Sequence, residues 1–125
     1  SIYLRLKLFF GYYVICDRYL IDTEIDFKIT FPYLDIKSWF LWKLLNATSI
    51  KPAYQFILVV SVNESKKRSI EKNEPFPDSI ETLKIRLKEY TSIANNKTIF
   101  DLIFCEEPVD VIFNKILSRL KKFKI

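Results

Sequence analysis

A chain of 125 residues, half of them apolar and 16% aromatic, is long enough for one small domain and too apolar to remain disordered. It holds one glycine and no histidine, which excludes a glycine-rich phosphate loop, a His-based triad, a His-ligated zinc and a His general base. Its net charge of +5 suits partners that carry phosphate, whether nucleotides, nucleic acid or anionic lipid.

In chain order, Leu4 and Leu8 fit the last turns of a helix that Gly11 ends. Residues 12–16 (YYVIC) and 55–62 (QFILVVSV) are nearly continuous apolar runs, the pattern of strands buried on both faces. Between them, residues 19–29 and 36–45 are predicted helices, separated by a break at Pro32. Asp78, Ser79, Ile80 and Glu81 match a capping box, with Asp78 as N-cap and Glu81 reaching back. Behind it Ile80, Leu83, Leu87, Tyr90 and Ala94 recur at helical spacing until Asn95 and Asn96 stop the helix. Residues 98–105 (TIFDLIFC) are the third predicted strand. Pro108 then opens a helix whose apolar stripe is Val109, Ile112, Phe113, Ile116, Leu117 and Leu120.

The longest apolar stretch, residues 8–16, is far shorter than the roughly 20 residues of a spanning helix. With no secretory signal at the start, a cytoplasmic protein without membrane attachment is expected. Cys16 and Cys105, each at the end of a predicted strand, are then expected to be buried and reduced. Positive charge gathers at Lys66, Lys67, Arg68 and Lys72, and again at Arg119, Lys121, Lys122 and Lys124. The second group reads as a solvated face.

Strand, helices, strand, helices, strand, helix is the order of a doubly wound α/β domain, a parallel sheet with helices on both faces. Such sheets bind ligands beyond the carboxyl ends of their strands. The residues to inspect are therefore Asp17, Arg18 and Tyr19, then Asn63 onward, then Glu106, Glu107 and Pro108. Arg18 offers a rigid fork that can hold a phosphate bidentately. Asp17 can serve magnesium, directly or through water, or orient Arg18. On residue types alone a structural salt link is an equal alternative.

The longer string GYYVICDRYLIDTEIDF, residues 11–27, resembles the G-x-x-V-I-x-D-R-Y segment of thymidylate kinases and thymidylate kinase-like proteins. QFILVVSVNES and the following KNEPFPDSIETLKIRLKEYTSIA resemble that family's fourth strand, its lid and the helix after it. TIFDLIFCEEPVDVIFNKILSRL resembles its last strand, the adenine-side loop and the final helix. The resemblance implies a P-loop kinase-like fold and an ATP- and magnesium-dependent transfer of phosphate to a deoxynucleoside monophosphate, dTMP above all. It implies that Arg18 contacts the acceptor phosphate and that Asp17 lies near the magnesium, held indirectly. Tyr19, Asp22 and Asp26 fall on the acceptor side; the two aspartates share one helix face and suit a sugar hydroxyl or plain solvation. Lys66, Lys67, Arg68 and Lys72 fall in a lid over residues 64–77, above the donor phosphates. Glu106, Glu107 and Pro108 fall in the adenine-side loop.

No GxxxxGK[ST] occurs in the sequence. In that family the P-loop strand lies between the strands matching YYVIC and QFILVVSV. The three predicted strands therefore leave a gap, and unpaired buried backbone groups there cost about 1–3 kcal/mol each. The chain is expected to be inactive alone. It is expected to be completed by a missing amino-terminal segment or to form a homo-oligomer. A non-catalytic kinase remnant, acting as a nucleotide-binding or interaction module, is the alternative. A nucleic-acid-binding domain fits less well, because the aromatics do not interleave with the basic runs.

Overall fold

The computed structural model describes residues 2–96 and 100–121. They form six helices, one 3-10 turn and two strands, divided between two compact units, Ser1–Ala53 and Tyr54–Ile125. A single domain was expected; each unit has its own small core.

The first unit is helical. Helix α1, Ile2–Phe9, ends as the glycine predicts. Gly11 takes φ +79, its N–H donates to Leu8 O at 3.0 Å, and the Tyr12 N–H donates to Lys7 O at 3.1 Å. This is the paired bonding of a Schellman cap, which needs a left-handed residue where glycine stands. Arg5 Nη2 donates to the Thr48 carbonyl at 2.6 Å, holding α1 to the end of a later helix.

The predicted strand at residues 12–16 does not form. The segment has no regular structure, and Tyr13 and Ile15 are 81% and 96% exposed. Its residues suit a strand, but a strand needs a ladder, and no other segment among the described residues of this unit is a strand. Cys16, expected to be buried, is exposed for the same reason.

Helix α2, Leu20–Thr30, follows as predicted and buries Ile25. The predicted helix at 36–45 is instead two pieces: a 3-10 turn, Ile36–Ser38, and helix α3, Phe40–Thr48. Trp39 separates them. Its backbone is extended, with ψ 134, and its ring meets Phe27 edge-to-face at 5.3 Å, a packing that a continuous helix would forfeit. Trp42 of α3 completes the small core with Ile25.

The second unit runs β1 (Gln55–Val59), α4 (Val62–Glu71), α5 (Ile80–Asn96), β2 (Phe100–Phe104) and α6 (Val109–Lys121). The two strands are parallel, Gln55 against Phe100 and Val59 against Phe104. Parallel neighbours require a long crossover, which α4 and α5 supply. Ile57, Val59, Ile103 and Cys105 are the buried core. A mixed helix–strand unit with a parallel pair thus agrees with the α/β reading, whereas three strands were expected and two form among the described residues.

Two boundaries differ. The strand expected to reach residue 62 stops at Val59, because Ser61 is the N-cap of α4 and its hydroxyl accepts from the Glu64 N–H at 3.4 Å. At α5 the cap is Ser79, not Asp78: its hydroxyl accepts from the Thr82 N–H at 3.1 Å. Asp78 instead accepts from Arg86 Nε at 2.7 Å. Of the third predicted strand, residues 98 and 99 lie outside the described residues, as do Lys122 and Lys124 of the basic tail.

Candidate functional site

In the first unit the DRY residues occupy the bend between residues 12–16 and α2. Asp17 is exposed. Arg18 adopts φ +56, a left-handed conformation that costs a side-chain-bearing residue about 1–2 kcal/mol. The turn throws its side chain outward, 76% exposed, with Nη1 3.9 Å from Asp26 Oδ2. An exposed ion pair at that distance restrains the guanidinium weakly. Arg18 therefore presents its fork to solvent, where an oxyanion could be gripped.

Tyr19 and Asp22 have local work. The Tyr19 N–H donates to Asp22 Oδ2 at 2.8 Å, and its hydroxyl donates to the Ile50 carbonyl at 2.7 Å. Asp22 thus satisfies a backbone donor at the start of α2, a role its position in the first helical turn could have signalled. Asp26 sits one turn on, beside Arg18.

In the second unit the basic residues of α4 divide. Lys66 and Lys67, with Asn63, Ile70 and Glu71, line a shallow depression of about 460 Å³. Lys67 Nζ lies 3.8 Å from Glu71. Lys72 closes the helix, its N–H donating to Arg68 O at 3.0 Å, and its side chain is exposed. Arg68 turns inward instead: Nε donates to Glu64 Oε1 at 2.7 Å and Nη2 to the Cys105 carbonyl at 2.9 Å. The segment read as a lid is, over its first half, this regular helix.

The loop after β2 is held on several sides. Glu106 Oε1 accepts from the Ser61 N–H at 3.2 Å, Glu107 pairs with Lys115, and the Pro108 carbonyl accepts from Val111 at 3.0 Å. Burial pushes the Cys105 thiol up from its ordinary pKa, partly offset by the nearby Arg68 and Lys115 charges. Farther back, Asp101 of β2 accepts from the Tyr54 hydroxyl at 2.9 Å and pairs with Arg119, giving one of the basic tail residues a structural partner.

The residues that sequence reasoning missed are Ser61 and Glu64. Ser61-Val62-Asn63-Glu64 is itself a capping-box pattern, the signal that marks a helix start inside the apolar run. Among the described residues no three Asp, Glu or Cys side chains gather as a metal site. Asp17 accordingly belongs to no such group.

No protein-family model, curated protein or solved structure matches this chain. No helix among the described residues is long and apolar enough to cross a membrane.

Proposed function

We propose that this chain is the sheet-forming part of a thymidylate kinase-like phosphotransferase. Completed by a P-loop segment, it would take the terminal phosphoryl group of ATP to a deoxynucleoside monophosphate, most simply dTMP to dTDP. The observation that carries the reading is Arg18, held in a left-handed turn with its fork exposed, within the string GYYVICDRY. Backbone strain clusters at ligand clamps and binding sites, and here it is held at a charged, exposed residue. The parallel pair of strands joined through helices supports the α/β frame, which the reading requires.

Phosphoryl transfer needs positioning and charge neutralisation rather than covalent help from the protein. Arg18 would hold the acceptor phosphate, its guanidinium left free to turn toward it by the weak pair with Asp26. Asp17 would hold water of the magnesium that ATP brings, and that ion would neutralise charge on the donor phosphates. Lys66, Lys67 and Lys72 are exposed in the second unit, and the resemblance assigns them to the donor phosphates. Glu106 to Pro108 would border the adenine. The P-loop amides and lysine would come from a segment outside this sequence.

The two-stranded sheet favours the second reading, a non-catalytic remnant that binds nucleotide or a partner. One experiment separates them. The coding sequence upstream is searched for GxxxxGK[ST], and the extended or complemented polypeptide is assayed for dTDP from ATP and dTMP. Turnover supports the kinase reading, binding without turnover supports a nucleotide-binding remnant, and failure to bind either nucleotide overturns both of these and leaves the remnant only as an interaction module.

A further inference from the structure

Two loops leave the carboxyl ends of β1 and β2, the edge at which open α/β sheets take ligands. Named contacts join them. Arg68 bonds Glu64 on its own helix and the Cys105 carbonyl just beyond β2. Ser61, which caps α4, donates its N–H to Glu106. Cys105 is itself buried and donates its N–H to Val59 O at 2.7 Å. The Arg68 side chain is 38% exposed, against 66% for the neighbouring Lys67.

We propose that Arg68 is a positioning residue: it clasps α4 to the loop after β2 and so fixes residues 105–108, rather than reaching a bound phosphate. A guanidinium can serve a carboxylate and a carbonyl from one rigid plane, whereas an ammonium on a flexible stem cannot hold both in that geometry. Glu64 fixes the plane through Nε, and Nη2 of the same plane then reaches the Cys105 carbonyl. The Ser61–Glu106 bond then carries the hold one residue further. The two loops at the ligand edge move as one piece, so a ligand recognised by residues 106–108 meets a loop already in place. That the ligand is a nucleotide rests on the proposed function; the clasp does not.

Amide hydrogen exchange of the full chain, without nucleotide, tests the clasp in Arg68→Gln, Arg68→Lys and Glu64→Gln. In Arg68→Gln, exchange at the Ser61 and Cys105 amides should quicken about 10- to 150-fold, the loss of one charge-assisted bond. The Ile57 amide within β1 should change less than about threefold, because the opening is local. Arg68→Lys should resemble Arg68→Gln, and Glu64→Gln should fall between it and the unaltered chain. Unchanged exchange at Ser61 and Cys105, an equal rise throughout the unit, or full protection in Arg68→Lys would overturn the clasp. Should Arg68→Gln fail to fold, the other two variants decide. Adding ATP with magnesium to the unaltered chain tests the nucleotide reading separately. No added protection at 105–108 counts against that reading, while the nucleotide-free exchange still decides the clasp.

Discussion

The Tyr19 hydroxyl donates to the Ile50 carbonyl at 2.7 Å, tying the start of α2 to the segment beyond α3. A tyrosine in a string read for ligand chemistry thus has a structural task. Tyr19→Phe should cost roughly 0.5–1.5 kcal/mol in urea unfolding, the worth of one such bond. Unchanged stability with impaired use of dTMP by the complemented enzyme would assign the hydroxyl to the ligand instead.

Arg18 separates stability from function. Arg18→Gly removes the left-handed penalty and should stabilise the chain by up to about 1 kcal/mol, after glycine's own entropy cost. Arg18→Lys keeps the charge and loses the fork, so use of the monophosphate by the complemented enzyme should fall about 10- to 150-fold. ATP binding should change far less. A lysine variant that unfolds, yet is fully active where folded, would make Arg18 a salt link and nothing more.

Ser79 and Asp78 compete for one role, and unfolding measurements distinguish them. Ser79→Ala should cost about 1 kcal/mol as a lost N-cap, and Asp78→Ala less than about 1 kcal/mol as a lost exposed ion pair. Glu81 adds a pH signature. Its own backbone N–H and the Ser79 hydroxyl hold its carboxyl below the ordinary 4.5. A depressed carboxylate stabilises above its unfolded pKa, and that support is lost as pH falls through the folded value. Acid unfolding followed downward from pH 4.5 should therefore lose part of its slope in Ser79→Ala; an identical profile would sink the assignment.

The two cysteines should behave oppositely toward a thiol reagent. Cys16 is exposed and should react at once; Cys105 is buried and should wait for local opening. Burial also raises the Cys105 pKa above its ordinary 9.0, so its stabilising effect is whole below that value and lost as pH rises through the folded one. Mass-resolved labelling at equal rates for both would contradict the packing of β2.

Among the described residues β1 pairs with β2 and with no other strand, and Leu58 and Phe104 are each 54% exposed. An apolar strand edge is a template for further pairing. Light scattering should show association that grows with concentration; a stable monomer at high concentration would count against it.

Local chemistry was legible, and distant partners were not. Gly11 announced the end of α1, and Pro108 stands immediately before α6, because caps depend on residues a few positions away. YYVIC announced a strand that does not form, because strand propensity describes a surface and a ladder needs a second chain segment. At Ser61 the apolar run masked a helix cap that its own spacing to Glu64 declared. Among the site residues, Arg18 was expected just past a strand, and it stands instead at a bend after an irregular segment. The inward turn of Arg68 depends on Cys105, far along the chain, and no local pattern among the lysines around it could reveal that.

The pairing of Gln55 with Phe100 also dictates an order of assembly. No tight turn can bring these residues together, and the entropy of closing the intervening chain must be met before any ladder bond repays it. Helix α5, with 17 residues, is long enough to shorten that path early. The strands should then dock late, after the crossover has formed. In stopped-flow kinetics Leu87→Ala in α5 should chiefly slow folding, and Ile103→Ala in β2 should chiefly hasten unfolding. The reverse pattern would put the strands, not the helix, at the start.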